Sequence, residues 1–141
     1  MGQLISEIMT TDPITVPTNA TVAEAARLMR EHAIGDVLVV DGDRLCGVVT
    51  DRDVVNRIVA EDRPAGQTPI GDICSMDPVA VRSDHEVSEA IALMRKHDIR
   101  RLPVVDDSDR PAGIVTLGDL AENQDPNSVL GDISAAPPNP S

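Results

Sequence analysis

The chain has 141 residues, of which 41% are hydrophobic, and a formal net charge of −12 at pH 7. This length suits one compact domain or two very small ones. The chain contains no Phe, Tyr or Trp, so aliphatic side chains must fill its core. Its negative field repels phosphate backbones and anionic lipid headgroups, which argues against a nucleic-acid or membrane partner.

The sequence also lacks the patterns of membrane insertion and secretion. No apolar run approaches the length of a membrane span, and the N-terminal stretch has no signal-peptide hydrophobic region. The two cysteines, Cys46 and Cys74, form neither a C-x-x-C pair nor a disulfide framework. We therefore predict a cytoplasmic location, where thiols stay reduced.

The second half of the chain repeats the first, and such duplications define the architecture of a protein. The sequence GVVTDRD at Gly47–Asp53 returns as GIVTLGD at Gly113–Asp119. Each copy is an apolar run that ends on a threonine and places an aspartate three residues later. The match extends along both halves: Ile5 and Ile8 recur as Ile70 and Ile73, Asp12-Pro13 as Asp77-Pro78, Leu28-Met29-Arg30 as Leu93-Met94-Arg95, and Val39-Val40-Asp41 as Val104-Val105-Asp106.

Both copies predict the same order of elements, β-α-β-β-α, from alternating strand and helix periodicity. The first copy predicts a strand at Ile14–Val16, an amphipathic helix on Val22, Ala25, Ala26 and Met29, strands at Val37–Val40 and Cys46–Val49, and a helix that starts near Asp51. The second predicts a strand at Val79–Val81, a helix on Val87, Ala90, Ile91 and Met94, strands at Leu102–Val105 and Ala112–Val115, and a helix that starts near Leu117.

Two candidate capping boxes mark where the first helix of each copy begins. They are Thr21-x-x-Glu24 and Ser83-x-x-Glu86, and their registers differ between the copies. The division of the chain that follows is a first repeat at 5–60, a linker at 61–69, a second repeat at 70–121 and a disordered tail at 122–141.

The fold class predicted from these patterns is α+β, with two pseudo-symmetric repeats packed sheet to sheet. A single repeat of this size cannot bury both faces of a three-stranded sheet. Two copies related by a pseudo-two-fold axis bury them together, and that symmetry creates two equivalent clefts.

The repeated Thr-x-x-Asp pattern has two compatible interpretations. In the structural interpretation, Thr50 is a helix N-cap and Asp53 is an acid in the first turn, where the helix dipole favours negative charge. Thr116 and Asp119 permit the same interpretation in the second copy. The same geometry offers free N–H groups and a hydroxyl to phosphate. A carboxylate accepts hydrogen bonds only, so it suits the vicinal diol of a ribose.

The duplicated unit closely resembles the cystathionine-β-synthase-type (CBS) domain. The resemblance rests on the Asp-Pro-x-x-Val openings, the apolar Val-Val strands and the Gly-x-Val-Thr-x-x-Asp closings, and it covers about residues 5–120. It implies a tandem pair of CBS repeats, a stand-alone bacterial Bateman module of a kind often tied to stress or energy sensing. It also implies adenosyl ligands such as AMP, ADP, ATP, NAD(H) or S-adenosylmethionine in two clefts, and a homodimer.

In the family, the ribose-binding aspartate of one repeat works with the adenine-contacting strands of the other. The resemblance therefore implies that cleft one combines Thr50, Arg52, Asp53, Val79, Ala80, Ile99, Arg100 and Arg101. It implies a weaker cleft two that combines Ile14, Thr15, Ile34, Gly35, Asp36, Thr116 and Asp119.

The two clefts differ in charge at the positions that the resemblance places beside phosphate. Cleft one has Arg100-Arg101 where cleft two has Gly35-Asp36. At an effective dielectric of ~20, one unit charge at ~4 Å contributes about 4 kcal/mol before desolvation and screening. We therefore predict that cleft one binds phosphorylated adenosine better. The alternative is that Arg100 and Arg101 are two solvated arginines.

Catalytic and metal functions find little support in the sequence. His32 and His97 fall near predicted helix C-termini, where a cation complements the helix dipole, and no Ser-His-Asp or Cys-His grouping is legible. Cys46, Cys74, His85 and His97 are too scattered for a metal-ligand pattern. We predict a non-enzymatic protein with no metal and no catalytic cofactor, whose regulatory ligand is an adenine nucleotide.

The competing hypothesis is a dimerisation or protein-interaction module without a ligand. After GVVTDRD the next helix contains four apolar residues, Val54, Val55, Ile58 and Val59, which favour burial against a second copy. Ligand binding and dimerisation are compatible with each other. A further, unidentified protein partner is also compatible with both.

Overall fold

A computed structural model describes residues 2–76 and 78–123 of the chain. Contacts divide the described residues into two compact units. One unit, the second-repeat unit, combines residues 2–13 with residues 79–123. The other, the first-repeat unit, consists of residues 14–76 together with residue 78. The predicted disordered tail, apart from its first two residues, lies outside the described residues.

The observed elements follow the predicted β-α-β-β-α order with short additions at the start of each repeat. In the first half of the chain they are a 3-10 turn at Ile5–Glu7, β1 (Thr10–Thr11), β2 (Thr15–Pro17), α1 (Val22–His32), β3 (Asp36–Asp41), β4 (Arg44–Thr50), α2 (Asp51–Val54) and a π-helical turn at Val55–Val59. In the second half they are a 3-10 turn at Ile70–Asp72, β5 (Ser75–Met76), β6 (Val81–Arg82), α3 (Val87–His97), β7 (Arg101–Val105), β8 (Pro111–Thr116) and α4 (Leu117–Asn123).

Each unit contains one mixed four-stranded sheet, which confirms the α+β class. The strand order is β2-β3-β4-β5 in the first-repeat unit and β6-β7-β8-β1 in the second-repeat unit. The first two strands of each order are parallel and are joined by a helix, whereas the remaining neighbours are antiparallel. The fourth strand of each sheet had not been predicted from the sequence.

The helix α1 begins at its predicted cap, whereas the N-cap of α3 lies three residues after the predicted one. The Thr21 hydroxyl accepts a hydrogen bond from the Glu24 N–H at 3.2 Å, as an N-cap does. The predicted cap at Ser83 was wrong, because α3 begins after Glu86. The Ser83 N–H instead donates to the Val105 carbonyl at 2.9 Å, which holds that residue in the turn between β6 and α3.

The N-terminal segment of each repeat packs in the unit of the other repeat. We call residues 2–11 the first lead-in and residues 68–76 the second lead-in. Ile5 and Ile8 belong to the hydrophobic core of the second-repeat unit. Ile70 and Ile73 belong to the core of the first-repeat unit. The lead-ins also supply β1 and β5, so each sheet is completed by the N-terminal segment of the other repeat.

The second helix of the first repeat continues after Val54 as a π-helical turn. Its hydrogen bonds skip one residue more than those of an α-helix, as between the Ala60 N–H and the Val55 carbonyl at 2.9 Å. Ile58 is buried, at 2% exposed, and Val54, four residues earlier on the same face, packs against the same core. The prediction that all four apolar residues form an exposed face was wrong. Val55 and Val59 remain exposed, at 55% and 69%.

No helix among the described residues is long and apolar enough to cross a membrane.

We expect Gly113→Ala to destabilise the second-repeat unit by about 1–3 kcal/mol, because overpacking forces backbone shifts. A methyl group at this position would lie 2.5 Å from the Thr10 carbonyl oxygen and 2.9 Å from the Met9 sulfur, so β1 would have to move. Urea unfolding measures the change. Gly66→Ala is the control, since a methyl group there meets nothing within 4 Å. Equal stability of the two variants would contradict the close packing of β1 on β8.

Candidate functional site

Thr50 and Asp53 form a reciprocal capping box where β4 passes into α2. The Asp53 N–H donates to the Thr50 hydroxyl oxygen at 3.1 Å, and the Thr50 N–H donates to Asp53 Oδ2 at 2.9 Å. Both residues are half-buried. The two bonds satisfy N–H groups that a helix start otherwise leaves unpaired. The structural interpretation of this pair is therefore confirmed, and the box also fixes the direction of the Asp53 carboxylate.

Thr116 and Asp119 form the same box where β8 passes into α4. The Asp119 N–H donates to the Thr116 hydroxyl oxygen at 3.2 Å, and the Thr116 N–H donates to Asp119 Oδ2 at 2.9 Å. The two sequence motifs thus fold into equivalent strand-to-helix junctions. The close agreement of their distances shows that the duplication extends to side-chain geometry.

The capping box leaves most of the acceptor capacity of Asp53 available. An ionised carboxylate has about four lone-pair sites, and the box occupies one of them. No other described residue donates to this side chain. Asp53 can therefore cap α2 and accept hydrogen bonds from a diol at the same time.

Each junction lies beside the first residues of the neighbouring strand. The Asp51 N–H donates to the Gly35 carbonyl at 2.9 Å, and Asp36 is the cross-strand partner of Thr50. In the second-repeat unit, the Leu117 N–H donates to the Arg100 carbonyl at 2.8 Å, and Arg101 is the cross-strand partner of Thr116. Each unit therefore brings together a capping box assigned to one cleft and a strand start assigned to the other.

The remaining predicted residues precede the strands that flank these junctions. Ile14 and Thr15 enter β2, where the Leu38 N–H donates to the Ile14 carbonyl at 3.0 Å. Val79 and Ala80 are half-buried immediately before β6. The half-buried Ile34 and Ile99 precede Gly35 and Arg100, which lead into β3 and β7. The predicted residues of cleft one fall in both units. Thr50, Arg52 and Asp53 belong to the first-repeat unit, and the other five belong to the second-repeat unit.

The two strand starts differ in exposure as well as in charge. Arg101 is exposed at the first position of β7, whereas its counterpart Asp36 is buried, at 6% exposed, in β3. Arg100 is half-buried, and Arg52 is exposed in α2. A buried carboxylate disfavours a nearby anion more strongly than a solvated one, because less water screens it. The second-repeat unit therefore presents a cation where the first-repeat unit holds an anion.

The cysteines do not form a reactive site. Cys46 is half-buried and Cys74 is buried, and neither forms a disulfide bond. Burial raises the pKa of both thiols above the usual thiol value. Since the thiolate is the reactive form, both side chains are weak nucleophiles at neutral pH. They serve as small apolar groups of the first-repeat core.

No group of three or more His, Cys, Asp or Glu side chains in the described parts of the chain could hold a metal ion. His32 and His97 are the last residues of α1 and α3, as predicted. His85 lies at the turn before α3, where its Nδ1 contacts a carboxylate oxygen of Glu89. Sequence analysis did not identify this pair, although its i, i+4 spacing was visible.

Comparison with known proteins identifies relatives over nearly the whole chain. The family model of the CBS domain matches twice, at residues 5–60 and 70–125. The CBS domain-containing protein YhcV of Bacillus subtilis is 42% identical over 127 residues, which cover 90% of this chain and 89% of YhcV. An inosine-5'-monophosphate dehydrogenase of Methanocaldococcus jannaschii is 37% identical over 119 residues, which cover 84% of this chain but 23% of the enzyme.

Solved structures share the fold. Hypoxic Response Protein I with two coordinated zinc ions has a TM-score of 0.79 at 31% identity, over 86% of this chain and 99% of that protein. PAE2072 of Pyrobaculum aerophilum, complexed with AMP, has a TM-score of 0.78 at 26% identity, over 95% and 100% of the two chains. The CBS domain pair of MJ0100, with 5′-methylthioadenosine and S-adenosylmethionine, has a TM-score of 0.75 at 29% identity, over 87% and 96%.

Proposed function

Because the chain belongs to the CBS-domain family and contains two CBS domains, we propose that it is a non-enzymatic regulatory module that binds an adenosyl ligand. AMP, ADP or ATP is the ligand class that we favour. The observation that carries the proposal is the pair of equivalent Thr–Asp junctions, each with a carboxylate fixed for hydrogen bonding at the start of a helix. The structures of PAE2072 with AMP and of MJ0100 with S-adenosylmethionine support the ligand class.

The proposed principal site is cleft one. Thr50 and Asp53 would bind the ribose, Val79, Ala80 and Ile99 would contact the adenine, and Arg100 and Arg101 would neutralise phosphate. The absence of aromatic residues means that the base would lie between aliphatic side chains and backbone. Arg52, whose counterpart in the second copy is Gly118, would add positive charge.

The proposed preference for cleft one rests on charge. Exposed Arg101 attracts a phosphate, whereas buried Asp36 at the equivalent position repels one. At an effective dielectric of ~20, one unit charge at ~4 Å from a phosphate contributes about 4 kcal/mol before desolvation and screening, and screening is stronger at the exposed Arg101. Cleft two, with Thr116 and Asp119, would therefore bind weakly or accept a ligand without phosphate groups.

The likeness to inosine-5'-monophosphate dehydrogenase does not extend to a catalytic domain. The match spans 23% of that enzyme, and the same region of this chain is fully occupied by the two CBS repeats. We therefore assign this chain a regulatory role and no reaction. Homodimerisation and a role in stress signalling stay predictions from the family resemblance, and a cytoplasmic location stays a prediction from the cysteine pattern.

A ligand-free dimerisation module is the second candidate function. The exposed side chains of Val55 and Val59, one helical turn apart, favour it. The apolar face is smaller than predicted, however, because Ile58 and Val54 are directed to the core. Two valines bury too little area for a stable interface by themselves, since specific interfaces bury about 800 Å² per partner.

The first test is whether the purified protein carries an adenosyl compound. The chain has no Trp or Tyr, so bound adenine dominates its near-ultraviolet absorbance. We expect mass spectrometry of the supernatant after denaturation to identify an adenine nucleotide. Should the protein be transparent and also show no thermal shift with AMP, ADP, ATP, NADH or S-adenosylmethionine, the ligand-free module becomes the correct assignment.

We expect Asp53→Ala to abolish most of the stabilisation that a nucleotide confers. A ligand at a hundredfold excess over its Kd stabilises the fold by about 2.7 kcal/mol, which thermal unfolding detects as a rise in Tm. The variant also loses half of a capping box, which costs about 1 kcal/mol without ligand. Thr21→Ala is the matched control, because it removes the cap of α1 outside the proposed site. A full ligand-induced shift in Asp53→Ala would contradict the ribose assignment.

We expect Arg100→Ala combined with Arg101→Ala to weaken nucleotide binding at least several-fold, measured by calorimetry, because the phosphate loses its neutralising cations. The matched control combines Arg27→Ala with Arg30→Ala, which removes the same net charge from exposed positions of α1. Equal affinities of the two double variants would show that the arginines are solvated and that the charge argument fails.

A further inference from the structure

The two lead-ins dock on their receiving units through the same main-chain hydrogen bonds. In the second-repeat unit, the Ile5 N–H donates to the His85 carbonyl at 2.9 Å and the Ser6 N–H donates to the Ser83 carbonyl at 3.0 Å. The Val87 N–H in turn donates to the Gln3 carbonyl at 2.8 Å. An isolated β-bridge between Leu4 and Glu86 continues the pairing.

The first-repeat unit receives the second lead-in in the same way. The Ile70 N–H donates to the Ala20 carbonyl at 2.7 Å, and the Gly71 N–H donates to the Thr18 carbonyl at 3.0 Å. The Val22 N–H donates to the Thr68 carbonyl at 2.9 Å. The recognition of a lead-in therefore depends on its backbone and on two buried isoleucines.

The first lead-in crosses between the units through a strained residue. Asp12 has φ of 56°, in the left-handed region that residues other than glycine seldom adopt. It follows β1 and precedes Pro13, and the boundary between the two units comes directly after that proline. Aspartate adopts this region more readily than most residues, but a following proline normally holds a residue in extended conformation, and the observed φ opposes that preference.

A docking groove that binds a segment mainly through the segment's backbone can bind the same segment from any copy of the chain. We propose that the first lead-in exchanges between two copies, so that residues 2–11 of one chain complete the second-repeat unit of the other. The exchanged dimer repeats every docking bond and both buried isoleucines, and it lets Asp12 extend. Strained connections favour such an exchange. The proposal is independent of ligand binding and of the Val55–Val59 surface.

A disulfide between the lead-in and α3 distinguishes the two arrangements. A β-carbon at Gly2 would lie 3.6 Å from that of Glu86, which suits a disulfide. The test variant therefore carries Gly2→Cys and Glu86→Cys, with Cys46→Ser and Cys74→Ala to remove the native thiols. It is refolded at several chain concentrations up to millimolar, diluted to one common concentration and oxidised. Denaturing electrophoresis without reductant then separates intrachain from interchain disulfides.

We expect a covalent dimer whose yield rises with the chain concentration during refolding, by about tenfold for a tenfold increase while the dimer is the minor species. An intrachain disulfide alone at every concentration would overturn the proposal, even if the protein is a non-covalent dimer. The absence of any disulfide, or an equal dimer yield from either single-cysteine variant, would overturn it too. If the loss of Cys74 prevents folding, the same pair is introduced with the native cysteines kept, and peptide mapping identifies the linkage between positions 2 and 86.

Asp12→Gly tests the strained connection separately. Glycine adopts positive φ without strain, so we expect each closed monomer to be favoured about fivefold over the exchanged form. Two monomers form one dimer, so the dimerisation constant falls about twenty-fivefold. Asp62→Gly is the matched control, because Asp62 has φ of 53° within the first-repeat unit and lies outside the exchanged segment. The same fall in both variants, or in neither, would overturn the role of Asp12.

Discussion

Each unit depends on two isoleucines that come from the N-terminal segment of the other repeat. Without Ile5 and Ile8, the core of the second-repeat unit loses two of its buried side chains, and its sheet loses the strand β1. Ile70 and Ile73 serve the first-repeat unit in the same way. An aliphatic core has no large aromatic side chain to fill a gap, and a lost isoleucine costs about 2–5 kcal/mol. This dependence joins the two repeats, since neither repeat contains all of its own core.

At the strand-to-helix junctions, the same side chains serve both the fold and the proposed ligand site. One threonine and one aspartate cap a helix, and the aspartate keeps acceptor sites for a ligand. A cap of this kind holds its carboxylate in one place before any ligand arrives, which reduces the ordering that binding requires. Structural and functional interpretations of the motif therefore describe one arrangement. Only the ligand-dependent stability of variants such as Asp53→Ala separates the two contributions.

The asymmetry between the repeats is electrostatic. The two halves share their strand order, capping boxes and lead-in hydrogen bonds, and they differ where β3 and β7 begin. A duplication first produces two equal sites, and a change of charge at one position then makes them unequal. Because Asp36 is buried and Arg101 is exposed, the difference lies in both charge and solvation. In the proposed assignment of the clefts, this difference is what would make their affinities for a phosphorylated ligand unequal.

The sequence by itself determined the duplication, the order of the main helices and strands and the two Thr–Asp boxes, because these depend on local periodicity and on hydrogen bonds between near neighbours. Only the tertiary structure decided the start of α3, where contacts with Gln3 and Leu4 override the local cap at Ser83. The burial of Ile58 also depends on tertiary packing, because four-residue spacing pairs Val54 with Ile58 and Val55 with Val59 but does not say which pair faces the core. The place of each lead-in in the unit of the other repeat also depends on tertiary structure, since a two-residue strand such as β1 has no periodicity of its own and pairs with a strand distant in the chain.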